Sequence, residues 1–259
     1  MVELGLAPTR GKAQALILAG EVICGGQQVA KAGALLDPAV ALELRSRRRL
    51  FVGRGGEKLD GALAGLEVAP QGVLAWDIGA STGGFTDCLL RRGAARVVAV
   101  DVGRGQIDAS LRSDPRVDLR EGINARHLRP GDLPGLPELV VVDVSFISLG
   151  KILPPIAAAA PGAIVVSLVK PQFEVGRGRV GRGGIVRDPA LQEQVLLRLG
   201  ENAREWGLSP EAIVESPLRG ARGNREFFVR WAPLRHSRSG DWPAAVREAV
   251  YGGTEKTGL

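Results

Sequence analysis

Lys170 closes the apolar run A-I-V-V-S-L-V and opens the segment K-P-Q-F-E. An ammonium at the end of an otherwise apolar strand is costly unless it is paired. The obvious partner is Asp143, which ends a second apolar run, L-V-V-V, and continues as V-S-F-I-S-L. Two further polar residues sit beside basic, glycine-rich stretches: Lys58 in G-R-G-G-E-K-L and Glu226 in G-N-R-E-F-F-V. In an open α/β sheet, ligands bind outside the carboxyl ends of the strands, so charges at strand ends are the first candidates for chemistry. Each of these residues also has a structural reading, Lys58 as a solvated helix residue and Glu226 as a counter-charge to local arginines. Other chemistries are poorly supplied. His127 and His236 are the two histidines, and Cys24 and Cys88 lie far apart without metal-ligand spacing, so no metal is expected. Both thiols fit a reducing cytoplasm.

A second group of residues could hold a cofactor. The stretch D-I-G-A-S-T-G-G-F-T-D, Asp77 to Asp87, follows the apolar V-L-A-W. A phosphate-binding P-loop needs Lys-Ser/Thr after its last glycine, and here Phe85-Thr86 follows Gly84. The dinucleotide fingerprint needs G-x-G-x-x-G, but these glycines stand at 79, 83 and 84. What remains is a strand ending in an acid and a G-x-S-x-G-G loop opening a helix, suited to the methionine end of S-adenosylmethionine (SAM). The next strand, V-V-A-V, ends at Asp101, where a carboxylate can bind both ribose hydroxyls of an adenosine. The expected cofactor contacts are Asp77, Gly79, Ala80, Ser81, Thr82, Gly83, Gly84, Asp101, Val102 and Asp143. Asn124, in E-G-I-N-A-R, either meets the adenine or closes a turn.

The elements that must position these residues follow from the hydrophobic pattern. Beyond about residue 57, short β-rich runs alternate with helical segments. Strands are predicted at 73–77, 96–101, 117–120, 139–143, 163–169, 211–216 and 225–232, and helices at 57–66, 84–92, 105–112, 148–159 and 189–206. This alternation predicts an α/β, Rossmann-like, mostly parallel seven-stranded sheet with helices on both faces. The last two strands have no helix between them, so the final strand is expected to be antiparallel. Residues 1–46 read as a small α+β module, 47–56 as a basic linker, 57–234 as the catalytic domain and 235–259 as a loosely ordered tail with one short helix. The run from Ile152 to Val169 is broken by Pro154, Pro155, Pro161 and Gly162, so no membrane span is expected.

The chain has 259 residues, 45% hydrophobic and 24% charged, with a formal net charge of +6. The positive charge falls in three arginine-rich segments, two of them glycine-rich, and this favours a nucleic-acid partner. Arg10 and Lys12 begin the first helix of the small module, and Arg47, Arg48, Arg49 and Arg54 line the linker. Arg177, Arg179 and Arg182 lie in G-R-G-R-V-G-R-G-G, read as a mobile lid that grips an RNA backbone. With only 4% aromatic residues, shape and phosphate contacts should outweigh base stacking.

Five blocks in order, G-R-G-G-E-K-L, D-I-G-A-S-T-G-G-F-T-D, V-D-V-S-F-I-S-L, V-K-P-Q-F-E and G-N-R-E-F, resemble the TlyA family of ribosomal RNA 2′-O-methyltransferases, relatives of the FtsJ-type enzymes. The first fifty residues resemble that family's RNA-binding module, of the ribosomal-protein-S-four type. The resemblance implies a Lys-Asp-Lys-Glu tetrad on Lys58, Asp143, Lys170 and Glu226, SAM as cofactor, and ribosomal RNA or ribosomal subunits as partner. It implies that the modified group is a ribose 2′-hydroxyl of cytidine, and that the protein is cytoplasmic; a monomer is expected. Lys170, as a neutral amine, would accept the hydroxyl proton, Lys58 would add positive field, and Asp143 and Glu226 would orient the lysines. Two features depart from the family. The chain opens at M-V-E-L-G-L-A-P without the usual preceding R-L-D-type helix, so either the module is shortened or the start codon is misassigned, and Gly53 and Phe51 replace a serine and a linker tryptophan. An RNA-binding assembly factor with weak or no methyltransferase activity is the alternative, and a direct membrane-lytic role is not expected.

Overall fold

The computed structural model describes residues 1–7, 9–18, 22–29, 31–37, 40–44, 50–176, 178–220, 222–236 and 240–252. It divides into two compact units, Met1–Arg49 and Leu50–Leu259. In the first, α1 (Arg10–Leu18) accompanies β1 (Val22–Cys24), β2 (Gln27–Gln28) and β3 (Leu42–Leu44). The strands form an antiparallel sheet in the order β2-β1-β3, as a hairpin followed by a returning strand requires. Its core is small, Ile17, Val22 and Val29 with Leu16, Cys24 and Leu42 packed against them.

The second unit runs α2 (Arg54–Gly65), β4 (Leu74–Ile78), α3 (Gly84–Arg91), β5 (Arg96–Asp101), α4 (Ala109–Arg112), β6 (Val117–Glu121), β7 (Leu139–Val142), α5 (Leu153–Ala159), β8 (Ile164–Val169), α6 (Pro171–Glu174), α7 (Pro189–Ala203), β9 (Leu208–Glu215), β10 (Phe227–Pro233) and α8 (Trp242–Tyr251). Seven strands make one sheet in the order β6-β5-β4-β7-β8-β10-β9. The pairings from β6 through β8 are parallel, and β10 is antiparallel to both β8 and β9. Strands such as L-V-V-V and I-V-V-S-L-V are buried along nearly their whole length, because helices cover both faces. Leu59, Leu63, Cys88 and Leu89 of α2 and α3 fill one side. Leu153 and Ile156 of α5, Val195 and Leu199 of α7, and Val246 and Val250 of α8 fill the other.

Two consequences of this order place the site. The direction of strand addition reverses between β4 and β7, so a crevice opens where their carboxyl ends diverge. Because β10 is antiparallel, its beginning lies at the end of β8: Phe227 pairs with Val169, which brings Glu226 beside Lys170.

Several segments differ from the pattern-based expectation. Helix α2 begins at Arg54, inside the stretch read as linker. Segment 105–112 is helical only from Ala109, where the Asp108 side chain accepts from Ser110 N. In the stretch read as tail, α8 is a packed helix, capped at Asp241 and with Val246 and Val250 fully buried.

Candidate active site

Two ion pairs stand at the carboxyl end of the sheet. Lys58 Nζ lies 2.6 Å from Glu226 Oε2, with the two side chains 12% and 3% exposed. Lys170 Nζ lies 2.5 Å from Asp143 Oδ1, with exposures of 11% and 23%. This second contact is a charge pair outside hydrogen-bond geometry, and Nζ donates its hydrogen bond to Ser145 Oγ at 2.9 Å. Gln172 links the pairs: it stands two residues beyond Lys170, and its Nε2 donates to Glu226 Oε1 at 3.3 Å. Lys58, Lys170, Glu226, Ser145 and Gln172 share one cleft of about 310 Å³, closed on its other side by Val180, Gly184 and Arg222. The structure therefore gathers all four tetrad candidates from four separate elements.

Lys58 reaches this cleft because α2 runs unusually close to α3. A Cβ on Gly56 would lie 2.8 Å from Gly84 O, and one on Gly84 would lie 2.9 Å from Gly56 N. The glycines of G-R-G-G and of the S-T-G-G loop thus serve helix contact. Glu226 has its own glycine, since a Cβ on Gly220 would fall 2.2 Å from Glu226 Oε1.

A second cavity, about 560 Å³, opens at the divergence of β4 and β7. It is lined by Gly79, Ser81, Asp101, Val102, Asn124 and Asp143 from the expected set, with Gln106, Ile123, Val144 and Ile147. Asp101 is held on both oxygens: Ser81 N donates to Oδ2 at 2.8 Å and Gly103 N to Oδ1 at 2.6 Å. Each oxygen keeps acceptor capacity for a ribose hydroxyl. Gly79, with φ 90°, lets the loop cross β7 where a Cβ would sit 2.3 Å from Asp143 O. Apolar walls and two carboxylates suit an uncharged nucleoside carrying a positive sulfonium, and they would repel a phosphate. The residues present fit SAM.

Other expected cofactor contacts lie elsewhere. Asp77 is fully buried and accepts from Thr86 Oγ1 at 2.7 Å. Burial pushes its carboxyl up to about 7 against the pull of the Thr86 bond, with Asp143 and Asp101 adding to the rise. Ala80, Thr82, Gly83 and Gly84 do not line the cavity; Gly83, with φ 94°, begins α3 beneath Ile107 and Leu111. Asn124 closes a turn, its side chain accepting from Arg126 N, and it also lines the cavity.

The two cavities meet at Ser145 and Phe146, which line both. Neither was singled out from the sequence, although both stand in V-D-V-S-F-I-S-L. Gln172 and Asn224 were also passed over. Asn224 is buried and pins the arginine–glycine segment, accepting from Val186 N at 3.0 Å and donating to Gly184 O at 3.0 Å. No periodic signal marks such residues, because their partners are far away in sequence.

Of the expected RNA contacts, Arg54 and Arg179 are exposed in the larger unit, and Arg54 Nη2 donates to Arg219 O at 3.0 Å. Arg10 is exposed in the small unit. Arg47, Arg48, Arg49 and Arg177 lie outside the described residues, as do the side chains of Lys12 and Arg182. Among the described residues no group of acids, histidines and cysteines is placed to hold a metal, and no helix is long and apolar enough to cross a membrane.

Residues 51–232 match the model of the FtsJ-like methyltransferase family. The chain is 47% identical over 231 residues to the 16S/23S rRNA (cytidine-2′-O)-methyltransferase TlyA of Mycobacterium tuberculosis, covering 88% of this chain and 86% of that one. It is 38% identical over 229 residues to Hemolysin A of Brachyspira hyodysenteriae, covering 88% and 95%. A solved structure from Streptococcus thermophilus, described as a candidate hemolysin, superposes with a TM-score of 0.80 at 40% identity, over 96% of this chain and 91% of that one. With its sheet order, its two adjoining cavities and a match across most of its length, the chain belongs to the FtsJ-like methyltransferase family.

Proposed function

We propose that this protein transfers a methyl group from SAM to the ribose 2′-hydroxyl of cytidine in ribosomal RNA, with Lys58, Asp143, Lys170 and Glu226 as its catalytic tetrad. The observation that carries the reading is the junction of the two cavities. A cofactor cavity ending at Asp143 adjoins a cleft containing both lysines, and Asp143 is paired with Lys170 across the boundary. The choice of cytidine and of ribosomal RNA rests on the named activity of the M. tuberculosis relative.

The residues divide the work as follows. Asp101 and Ser81 hold the ribose of the adenosine, and Asn124 stands at the adenine. Bound SAM supplies an electrophilic methyl on a sulfonium, whose departure needs no acid. Lys170 accepts the 2′-hydroxyl proton on its amine, leaving the oxygen as the nucleophile toward the methyl that SAM, held by Asp101 and Ser81, would supply. Lys58 places positive charge beside the developing alkoxide, and Glu226 and Asp143 hold the two lysines in place. Holding hydroxyl and methyl in line supplies a further large part of the rate. Exposed Arg54 and Arg179 contact phosphates. Arg10, Lys12, Arg47, Arg48, Arg49, Arg177 and Arg182 complete the proposed RNA-contacting set.

The test is to map 2′-O-methyl groups in ribosomal RNA from cells with and without the gene. Loss of methyl at one or a few cytidines, restored by the wild-type gene but not by a Lys170→Met copy, is expected. An unchanged methylation map would defeat the reading and favour a binding factor without methyl transfer.

A further inference from the structure

Lys170 can accept a proton only if its lone pair points into the cleft. A neutral amine has two N–H bonds and one lone pair in a tetrahedral arrangement. Asp143 Oδ1 lies 2.5 Å from Nζ as a charge pair outside hydrogen-bond geometry, and its negative charge repels the lone pair and favours an N–H on its side. That contact alone leaves the second N–H and the lone pair free to exchange places by rotation about the Cε–Nζ bond. Ser145 Oγ, accepting at 2.9 Å, takes up the second N–H and leaves the lone pair the third direction. Among the described residues it is the hydrogen-bond acceptor found at Nζ.

The position of Ser145 is fixed from several sides. Phe146, an exposed residue, follows it in the left-handed region, at φ 64°, which is uncommon for a bulky side chain. Ser148 Oγ and Leu149 N each donate to the buried Glu174 at 2.7 Å. The Phe146 ring packs on Phe173 at 5.1 Å. Glu174 and Phe173 belong to α6, which begins immediately after Lys170. The loop bearing Ser145 is therefore tied to the short helix that follows Lys170, at the junction of the two cavities.

We propose that Ser145 is a positioning residue of the methyl-transfer reaction, one that aims the Lys170 lone pair at the substrate hydroxyl. This rests on the function proposed above. As the 2′-hydroxyl proton moves to Nζ, the amine becomes an ammonium with three N–H bonds. Ser145 receives one of them, a second lies on the side of the Asp143 charge, and the third faces the new methoxy oxygen. Ser145 thus sets direction before the transfer and solvates charge after it.

The experiment compares Ser145→Ala and Ser145→Thr with wild type in single-turnover methyl transfer to ribosomal RNA at saturating SAM. Calorimetric Kd values for SAM and for RNA are measured on the same preparations. Ser145→Ala is expected to slow transfer by roughly 10- to 100-fold, the scale of a misaligned reacting group, with both Kd values within about threefold of wild type. Ser145→Thr, which keeps the hydroxyl, is expected to recover most of the rate. An unchanged rate in Ser145→Ala, equal loss in both variants, or a loss seen only in Kd would overturn the assignment while leaving the functional reading standing. Wild-type protein that transfers no methyl to any ribosomal RNA would remove both together.

Discussion

Gly56 and Gly84 meet backbone to backbone, close enough that a methyl on either would fall within 3 Å of the other's main chain. This contact sets how near α2 approaches α3, and hence where Lys58 sits, two residues beyond Gly56. A Cβ on Gly56 would also lie 2.4 Å from the Phe51 side chain. Gly56→Ala is therefore expected to destabilise the protein by about 1–3 kcal/mol, the usual scale of overpacking, and to slow methyl transfer while leaving SAM affinity nearly intact. Urea unfolding and single-turnover kinetics check this; a variant with both normal stability and normal rate would contradict it.

Asp101 offers a cleaner separation of binding from chemistry. Each carboxylate oxygen is fixed by one backbone N–H and keeps capacity for a ribose hydroxyl. Charged hydrogen bonds contribute about 1.5–3 kcal/mol each, so Asp101→Ala should weaken SAM binding at least roughly tenfold. Transfer at saturating SAM should stay within about threefold of wild type. Calorimetry showing unchanged affinity would exclude Asp101 from the cofactor site.

Asp77 makes a prediction about pH. Its carboxyl is raised from the ordinary 3.8 to about 7 by burial. The folded protein thus holds a proton that the unfolded chain releases between about pH 4 and 7. Stability from this group is full below about pH 4 and is lost as pH rises through 7, a swing on the order of 4 kcal/mol. Asp77→Asn removes that slope. The Tm difference, variant minus wild type, should grow from pH 5 to pH 8, and parallel Tm curves would refute the assignment.

Arg225 ties the C-terminal helix to the site. Its guanidinium holds Glu215 at 2.6 and 3.0 Å and donates to the carbonyls of Val250 and Ala249 at the end of α8. The next residue is Glu226. Arg225→Met should cost about 2–4 kcal/mol, by lost charged hydrogen bonds to Glu215 and to the end of α8. Amide exchange within α8 should accelerate and methyl transfer should fall. Exchange in α8 at the wild-type rate would show that the helix docks independently.

What was legible in the sequence follows from the range of each signal. The strands were visible because a buried parallel strand is a continuous apolar run, and β5 was expected over the same residues, 96–101, that it occupies. Lys170 and Asp143 could be named because a charge ending an apolar run is conspicuous, whereas Lys58 and Glu226 were marked by basic, glycine-rich neighbours and joined into a tetrad by the family resemblance. The packing role of Gly83 and Gly84 was not legible, because a glycine needed by a neighbouring helix looks like one needed by a ligand. Ser145, Gln172 and Asn224 were invisible for a related reason. Their polar partners lie 25 or more residues away, and a neutral side chain carries no local mark of that contact.

The most direct measurement is single-turnover incubation of the purified protein with methyl-labelled SAM and ribosomal RNA, followed by nucleoside analysis. The expected result is label in 2′-O-methylcytidine at one or a few sites, nearly abolished by both Lys170→Met and Lys170→Ala. Label in a base rather than a ribose, or near-normal transfer by both Lys170 variants, would contradict it.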